Sequence, residues 1–258
     1  MFQINPIVIT LTCPCVNVSN ESYMNICFDD EDDENMYFSS YSLYKYNMKK
    51  KQLQIILTSK ESRMYTSIQP ITNHMFITNH NKIMVFEKIN TNKLYELNIQ
   101  EGIFHNVIFK PDGSFFVLAN RNRDLFHLDS QGKQVQQQLH HPSMFSDIHV
   151  HQQMKLLYTS QKSSFCVYDI RDIHTKIHEI LFSDTSGVYG LTSWDEYYAS
   201  VSTSNHIHVL DMRMYKIIQS IPTYEYYLSN LYFHKPSRSI VKYLFPNKHV
   251  LFYKQDIS

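Results

Sequence analysis

Apolar and polar residues alternate in short runs along almost the whole chain, the period-2 pattern of strands with one buried face. No segment sustains the 3.6-residue apolar period of a helix. Residues 105–110, 114–118, 124–129 and 134–139 show the pattern clearly. Pro111-Asp112-Gly113 separates the first two runs and Ser130-Gln131-Gly132-Lys133 the last two, both turn-forming clusters. The expectation is an all-β chain of tightly connected strands.

Six runs end alike, on a bulky apolar residue followed by a polar one. They read Ser42-Leu43-Tyr44-Lys45-Tyr46-Asn47, Lys82-Ile83-Met84-Val85-Phe86-Glu87 and Asp124-Leu125-Phe126-His127-Leu128-Asp129. The others are Ser164-Phe165-Cys166-Val167-Tyr168-Asp169, His206-Ile207-His208-Val209-Leu210-Asp211 and His249-Val250-Leu251-Phe252-Tyr253-Lys254. The bulky positions Tyr46, Phe86, Leu128, Tyr168, Leu210 and Tyr253 are 40, 42, 40, 42 and 43 residues apart. A period of about 40–45 residues is that of four-stranded propeller blades.

One domain spanning 1–258 is therefore expected, with six blades at about 22–57, 65–98, 104–139, 145–181, 187–221 and 228–254. The six bulky positions are read as structural and buried. Only Gln255-Asp256-Ile257-Ser258 follow the last run, too few for a fourth strand, while residues 7–12 form an apolar run with no blade of its own. That run is expected to pair with the last three strands and close the ring. Such an array limits exposed sheet edges.

Tyr168-Asp169-Ile170-Arg171 and Leu210-Asp211-Met212-Arg213 resemble the Trp-Asp-Leu-Arg blade ending of the WD40 family. The resemblance spans residues 22–254 and implies a WD40-type β-propeller. No such ending carries Trp here, and the family's Gly-His dipeptide is absent. Blade cohesion is thus expected to lean on apolar packing.

A narrower likeness runs through Lys110-Pro111-Asp112-Gly113-Ser114-Phe115-Phe116, Leu157-Tyr158-Thr159-Ser160 and the Tyr168 ending. It continues through Asp184-Thr185-Ser186-Gly187-Val188-Tyr189-Gly190-Leu191 and Lys216-Ile217-Ile218-Gln219-Ser220-Ile221. In order and spacing these resemble the U-three snoRNA-associated protein eighteen family of the small-subunit processome. That family has seven blades and a long N-terminal extension, whereas six blades and almost no extension are counted here. The resemblance implies a non-catalytic scaffold in pre-18S rRNA maturation, ribosome biogenesis in the nucleolus, with several protein subunits as partners. The rival reading is a peptide or substrate receptor of a ubiquitin ligase or chromatin complex, in nucleus or cytoplasm.

Composition narrows the picture. The 19 Tyr and 16 Phe suit pleated, half-buried surfaces. Five glycines are few for so many turns, so Asn, Asp and Ser are expected to carry them. Formal charge is zero, so no global field draws in nucleic acid and any rRNA or snoRNA contact is expected to be peripheral. Its local candidates are Lys49, Lys50, Lys51, Arg121 and Arg123, isolated cations able to touch phosphates. The acidic run 29–34 reads as a solvated loop in the first blade. Four cysteines without a framework spacing fit a reducing compartment, and no run of ~20 apolar residues spans a membrane. An intracellular chain is expected.

Candidate chemistry is sparse. His149-Val150-His151 and His206-Ile207-His208 each put two imidazoles on one strand face, and Cys13-Pro14-Cys15 carries two thiols. Nothing in the sequence brings a zinc set together, and His is read as outward-facing. Cys166 and the serines lack any nucleophile context, and five scattered glycines build no phosphate cradle. Leu125-Phe126-His127-Leu128-Asp129 resembles an arch-binding motif of pre-ribosomal factors, but its apolar residues are needed by a strand. No catalytic residue, metal, cofactor or small-molecule substrate is expected.

Overall fold

The computed structural model describes residues 3–7, 25–29, 34–39, 42–58, 65–71, 74–79, 82–98, 106–110, 112–119, 123–131, 133–140, 145–151, 154–183, 187–194, 197–223, 231–234, 237–244 and 249–256. Among these residues every regular element is a strand, and 24 strands form six four-stranded antiparallel sheets, the blades of a β-propeller. No helix among them is long and apolar enough to cross a membrane. The chain divides into two compact units, residues 17–142 and residues 1–16 with 143–258.

The unit of residues 17–142 holds three blades. Blade one is β2 (Asn25–Phe28), β3 (Asn35–Ser39), β4 (Ser42–Asn47) and β5 (Gln52–Thr58). Blade two is β6 (Tyr65–Ile71), β7 (His74–Asn79), β8 (Lys82–Glu87) and β9 (Lys93–Asn98). Blade three is β10 (Asn106–Phe109), β11 (Phe115–Ala119), β12 (Asp124–Leu128) and β13 (Gln134–His140).

In the other unit, blade four is β14 (Phe145–His151), β15 (Leu156–Gln161), β16 (Ser164–Asp169) and β17 (Asp172–Leu181). Blade five is β18 (Val188–Trp194), β19 (Tyr198–Thr203), β20 (His206–Asp211) and β21 (Lys216–Pro222). Blade six joins β22 (Leu231–His234), β23 (Ser239–Leu244) and β24 (His249–Asp256) to β1 (Gln3–Ile7).

The fourth strand of blade six thus comes from the N-terminus, over Gln3–Ile7. Ile7 lies opposite Phe252 and Gln3 opposite Asp256, while residues 8–12 lie outside the described residues. Outer strands of this fold are not apolar throughout. β5, β9, β17 and β21 are largely exposed, and Gln-Ile-Asn-Pro-Ile has the mixed pattern they share. Pro6 is tolerated because β1 is an edge strand.

Apolar layers between successive blades hold each unit together. Tyr37, Leu43, Ile68, Met75, Ile77 and Phe86 fill the layer between blades one and two. Phe109, Phe115, Val117, Phe126 and Leu128 belong to the next layer, with Ile83 of blade two. Tyr158, Phe165, Val167, Val188, Leu191 and Leu210 pack blades four and five, and Trp194, Val209, Ile240 and Tyr253 pack five and six. Tyr46, Phe86, Leu128, Tyr168, Leu210 and Tyr253 are all buried. Within the units, Phe86, Leu128, Leu210 and Tyr253 each enter the layer shared with the preceding blade. The repeated bulky residue is a wedge.

Polar bridges join neighbouring first strands. Gln69 Oε1 accepts the Phe109 N–H at 2.9 Å, and Asp147 Oδ2 accepts the Leu191 N–H at 3.1 Å. Each gives a buried backbone donor a partner that its own sheet does not supply.

Candidate interaction surface

In blades one to five the polar residue after the wedge starts a turn, whereas Lys254 of blade six continues β24. Asn47 Oδ1 accepts the Lys50 N–H at 2.7 Å, and Asp129 Oδ1 accepts those of Gln131 and Lys133 at 2.9 and 2.8 Å. Asp169 and Asp211 accept the N–H groups of Arg171 and Arg213 at 2.8 and 2.9 Å. Short carboxylates and amides reach their own backbone two to four residues on, which closes the turn. Glu87 is a methylene longer, so its backbone carbonyl takes the Thr91 N–H at 2.9 Å and its carboxylate holds Asn90 Nδ2 at 2.9 Å. The polar half of the repeat is a turn cap.

Blades four and five extend this cap into a clasp. Arg171 Nε donates to Asp169 Oδ1 at 2.9 Å and Arg213 Nε to Asp211 Oδ1 at 3.0 Å, each with Nη2 on the second oxygen. The Arg171 guanidinium holds the Asp169 carboxyl down at about 2, and Arg213 likewise lowers Asp211. Arg213 also lies over the Tyr197 ring, 4.9 Å from its centroid. Both arginines remain exposed, fixed in position with their charge already countered.

Left-handed turn residues depart from expectation. A positive φ occurs at Lys51, Thr91, Gly113, Lys155, Tyr215 and Arg238, one in each blade, between first and second or third and fourth strands. Lys162 adds one between β15 and β16. Asn, Asp and Ser cap several of these turns, but none of them occupies the left-handed position. The backbone cost of roughly 1–2 kcal/mol per residue is small enough for tertiary contacts to override. Tyr215, for example, stacks on His178 of β17 with centroids 4.6 Å apart.

Four of the five candidate RNA-contact cations lie among the described residues. Lys49 pairs with Glu34 at 3.0 Å, Lys50 and Lys51 are exposed in the β4–β5 turn, and Arg123 is exposed before β12. Arg121 lies outside the described residues. The acidic run is not wholly solvated. Asp29 is buried, with Lys88 Nζ at 2.8 Å and the Tyr37 hydroxyl at 3.5 Å. A carboxylate can be buried when a cation reaches it, and that cation comes from the β8–β9 turn.

The histidine pairs point inward as much as outward. His151 and His208 are buried and His149 half-buried. His149 Nε2 lies 2.6 Å from Ser193 Oγ on β18, and burial with nearby His151 pushes its imidazole down to about 4. His208 sits between Thr203 and Ser220. Among the described residues no three His, Cys, Asp or Glu gather closely enough to hold a metal, and Cys13 and Cys15 lie outside them.

Ser114, His127 and Asp112 do meet, but not as a nucleophile and its base. Ser114 Oγ donates to Asp112 Oδ1 at 2.6 Å, so its proton points away from His127 Nε2, 3.2 Å off. Lys110 Nζ stands 3.2 Å from that same nitrogen. Against desolvation, Ser114 and Lys110 pull Asp112 down to about 2. The cluster closes the Lys110–Ser114 turn. Cys166 is buried in the interior of its sheet, and desolvation raises its thiol further from the reactive thiolate.

Among the described residues, exposed large apolar side chains are more numerous on blades four and five than on blades one and two. Ile177, Leu181, Tyr197, Met214, Ile217 and Ile218 are exposed there, against Ile55, Ile89, Leu94 and Tyr95 on blades one and two. The sequence carried a faint signal. Ile217-Ile218 breaks the period-2 alternation, as a bulged outer strand would.

No family model matches the sequence, and no curated protein matches it. A chain in the crystal structure of a mitotic checkpoint complex has the same fold, with a TM-score of 0.70 at 10% identity over 100% of this chain and 82% of that one. That chain is a WD40 β-propeller, and at this identity the likeness shows the fold alone.

Proposed function

We propose that the chain is a non-catalytic scaffold that holds protein subunits together in a multi-subunit complex. The observation that carries this reading is the set of exposed apolar side chains that blades four and five carry among the described residues, with turn charges already countered. Surface of that kind suits protein contact. The scaffold of the checkpoint-complex chain, itself part of a multi-protein assembly, supports the same class of role. The Ser114 turn, with its serine proton directed at a carboxylate, favours no hydrolytic chemistry.

The finer reading is a structural subunit of the nucleolar small-subunit processome in pre-18S rRNA maturation. It rests on the ordered likeness from Lys110 to Ile221. Zero net charge and the scattered cations make any rRNA or snoRNA contact peripheral, because counterion release needs one cation per phosphate. Affinity purification of the tagged full chain, with identification of bound protein and RNA, tests both levels. The expected result is a stable assembly containing pre-ribosomal RNA, unaffected when Lys49, Lys50, Lys51, Arg121 and Arg123 are replaced by Ser. Recovery with a ubiquitin ligase or chromatin complex and no pre-ribosomal RNA would overturn the processome reading alone. Recovery of the chain by itself would overturn the scaffold.

A further inference from the structure

Among the described residues, blade six alone has an outer strand that no turn ties to its third strand. In the other blades a connection of two to five residues leads from β4, β8, β12, β16 or β20 into β5, β9, β13, β17 or β21. A turn that short keeps the outer strand beside its seat whenever the ladder opens. β1 has no such tether. It lies on β24 in antiparallel register, Gln3 opposite Asp256 and Ile7 opposite Phe252, yet almost the whole sequence runs between the two strands.

The ladder that holds β1 is also short. β1 has five residues, against six to ten in the other outer strands. Pro6 brings no N–H to it. The seat is firmer than its occupant. All six residues of β23 pair with the other edge of β24, from Ser239 opposite Lys254 to Leu244 opposite His249, and Tyr253 is buried in the layer shared with blade five. On the other side of β1, 17 residues separate Ile7 from Asn25. A stretch of that length extends to ~60 Å at most, enough to carry β1 to a neighbouring molecule.

We propose that two copies of this chain exchange β1, each copy's Gln3–Ile7 completing blade six of the other. Seat and occupant are both present in one chain, and an exchanged strand makes the same five-residue ladder. Reciprocal exchange closes a twofold dimer and leaves β24 covered in both copies. What favours the single chain is connectivity alone, an effective concentration in the millimolar range for a flexible tether. Exchange competes wherever copies are held together at that level, as subunits of one assembly are. The inference does not depend on the scaffold reading.

A photo-cross-linking amino acid placed at Ile4, and separately at the opposite residue Gln255, in the full chain tests the exchange. Samples from about 1 µM to about 1 mM, which span the approach to the tether's effective concentration, are warmed to just below the thermal midpoint, cooled and irradiated. Links within one chain keep the monomer mass on a denaturing gel, and links between chains double it. The doubled band should grow by about tenfold or more across the series. Peptide mapping should join position 4 of one copy to residues 249–256 of the other, and position 255 to residues 3–7. Links at monomer mass alone at every concentration overturn the proposal, as does the absence of any link between the two strands. Doubled bands that map elsewhere overturn it too. In the native assembly, capture at position 255 of an extended segment from another protein gives the seat to that partner and overturns exchange between copies. Each of these failures leaves the scaffold reading standing, because that reading is decided by the subunits recovered.

Discussion

The turn after the third strand can be compared directly between blades two and five. Both follow a buried wedge, Phe86 in one and Leu210 in the other, and both contain a left-handed residue, Thr91 or Tyr215. The means differ. Blade two closes through the Glu87 carbonyl, and Thr91 Oγ1 donates to the Asn90 carbonyl at 2.6 Å. Blade five closes through the Asp211 carboxylate, braces Arg213 against Tyr197 and stacks Tyr215 on the neighbouring blade. Ile89 is exposed in the first turn and Met214 in the second. The fold demands a wedge and a closed turn. What the turn displays is left free, and surface individuality arises there.

If the wedge is the shared demand, removing it should harm both regions alike. Phe86→Ala and Leu210→Ala should each lose about 2–5 kcal/mol, since both empty a packed layer between blades. Glu87→Ala should lose less than about 1 kcal/mol, because its turn closes through backbone. Denaturant midpoints with unchanged slope would measure this. A Leu210 loss no larger than that of Glu87 would show that the wedges do not hold the layers.

The wedge was legible in the sequence because one bulky residue per blade must recur at the blade period. Other features were not, for physical reasons. The partner of Asp29 is Lys88, 59 residues away, so a local charge run looked solvated. The N-terminal strand includes Gln3–Ile7, upstream of most of the apolar run, because an outer strand needs only one apolar face. Left-handed Lys, Thr, Tyr and Arg leave no mark in the chain, and the stack that offsets the strain at Tyr215 forms only on folding.

Acid should separate the units' inner seams. Between blades four and five His149 meets Ser193, whereas between two and three the bridge is Gln69, which does not titrate. The folded His149 imidazole sits at about 4, below the unfolded value near 6.5. Between those values the unfolded chain binds more protons, so stability rises with pH. The contribution is fully present above about 6.5 and fades toward 4, by up to about 3 kcal/mol. Hydrogen exchange at the Leu191 amide, corrected for intrinsic rate, should quicken from pH 7 to 5 more than at Phe109. His149→Gln should abolish that difference. Equal acceleration at both amides would assign the acid sensitivity elsewhere.

The clasp should matter less than the wedge and show two parts. Asp211→Ala removes both the turn cap and the acceptor of Arg213, with an expected loss of about 1–2 kcal/mol. Asp211→Asn keeps an acceptor oxygen for the Arg213 N–H, as Asn47 does for Lys50 in blade one. It should lose less than half as much in a thermal melt. Equal losses would mean that the ion pair, and not the cap, fixes this turn.

The smallest effect concerns the left-handed residues and runs toward greater stability. Lys155 and Lys51 both hold φ near +54° with exposed side chains. Tyr215 has a stacking partner to offset its backbone cost. Glycine removes the steric penalty of roughly 1–2 kcal/mol but brings back about 0.5–1 kcal/mol of unfolded-chain entropy. Lys155→Gly and Lys51→Gly should therefore each stabilise the chain by about 0.5 kcal/mol. Tyr215→Gly should destabilise it, because the stack on His178 and the packing against the blade-four layer go with the ring. The three midpoints together decide the point. Stabilisation at both lysines with loss at Tyr215 would show that contacts alone decide whether a strained turn residue is tolerated. Loss at all three would show that the lysine side chains also hold their turns.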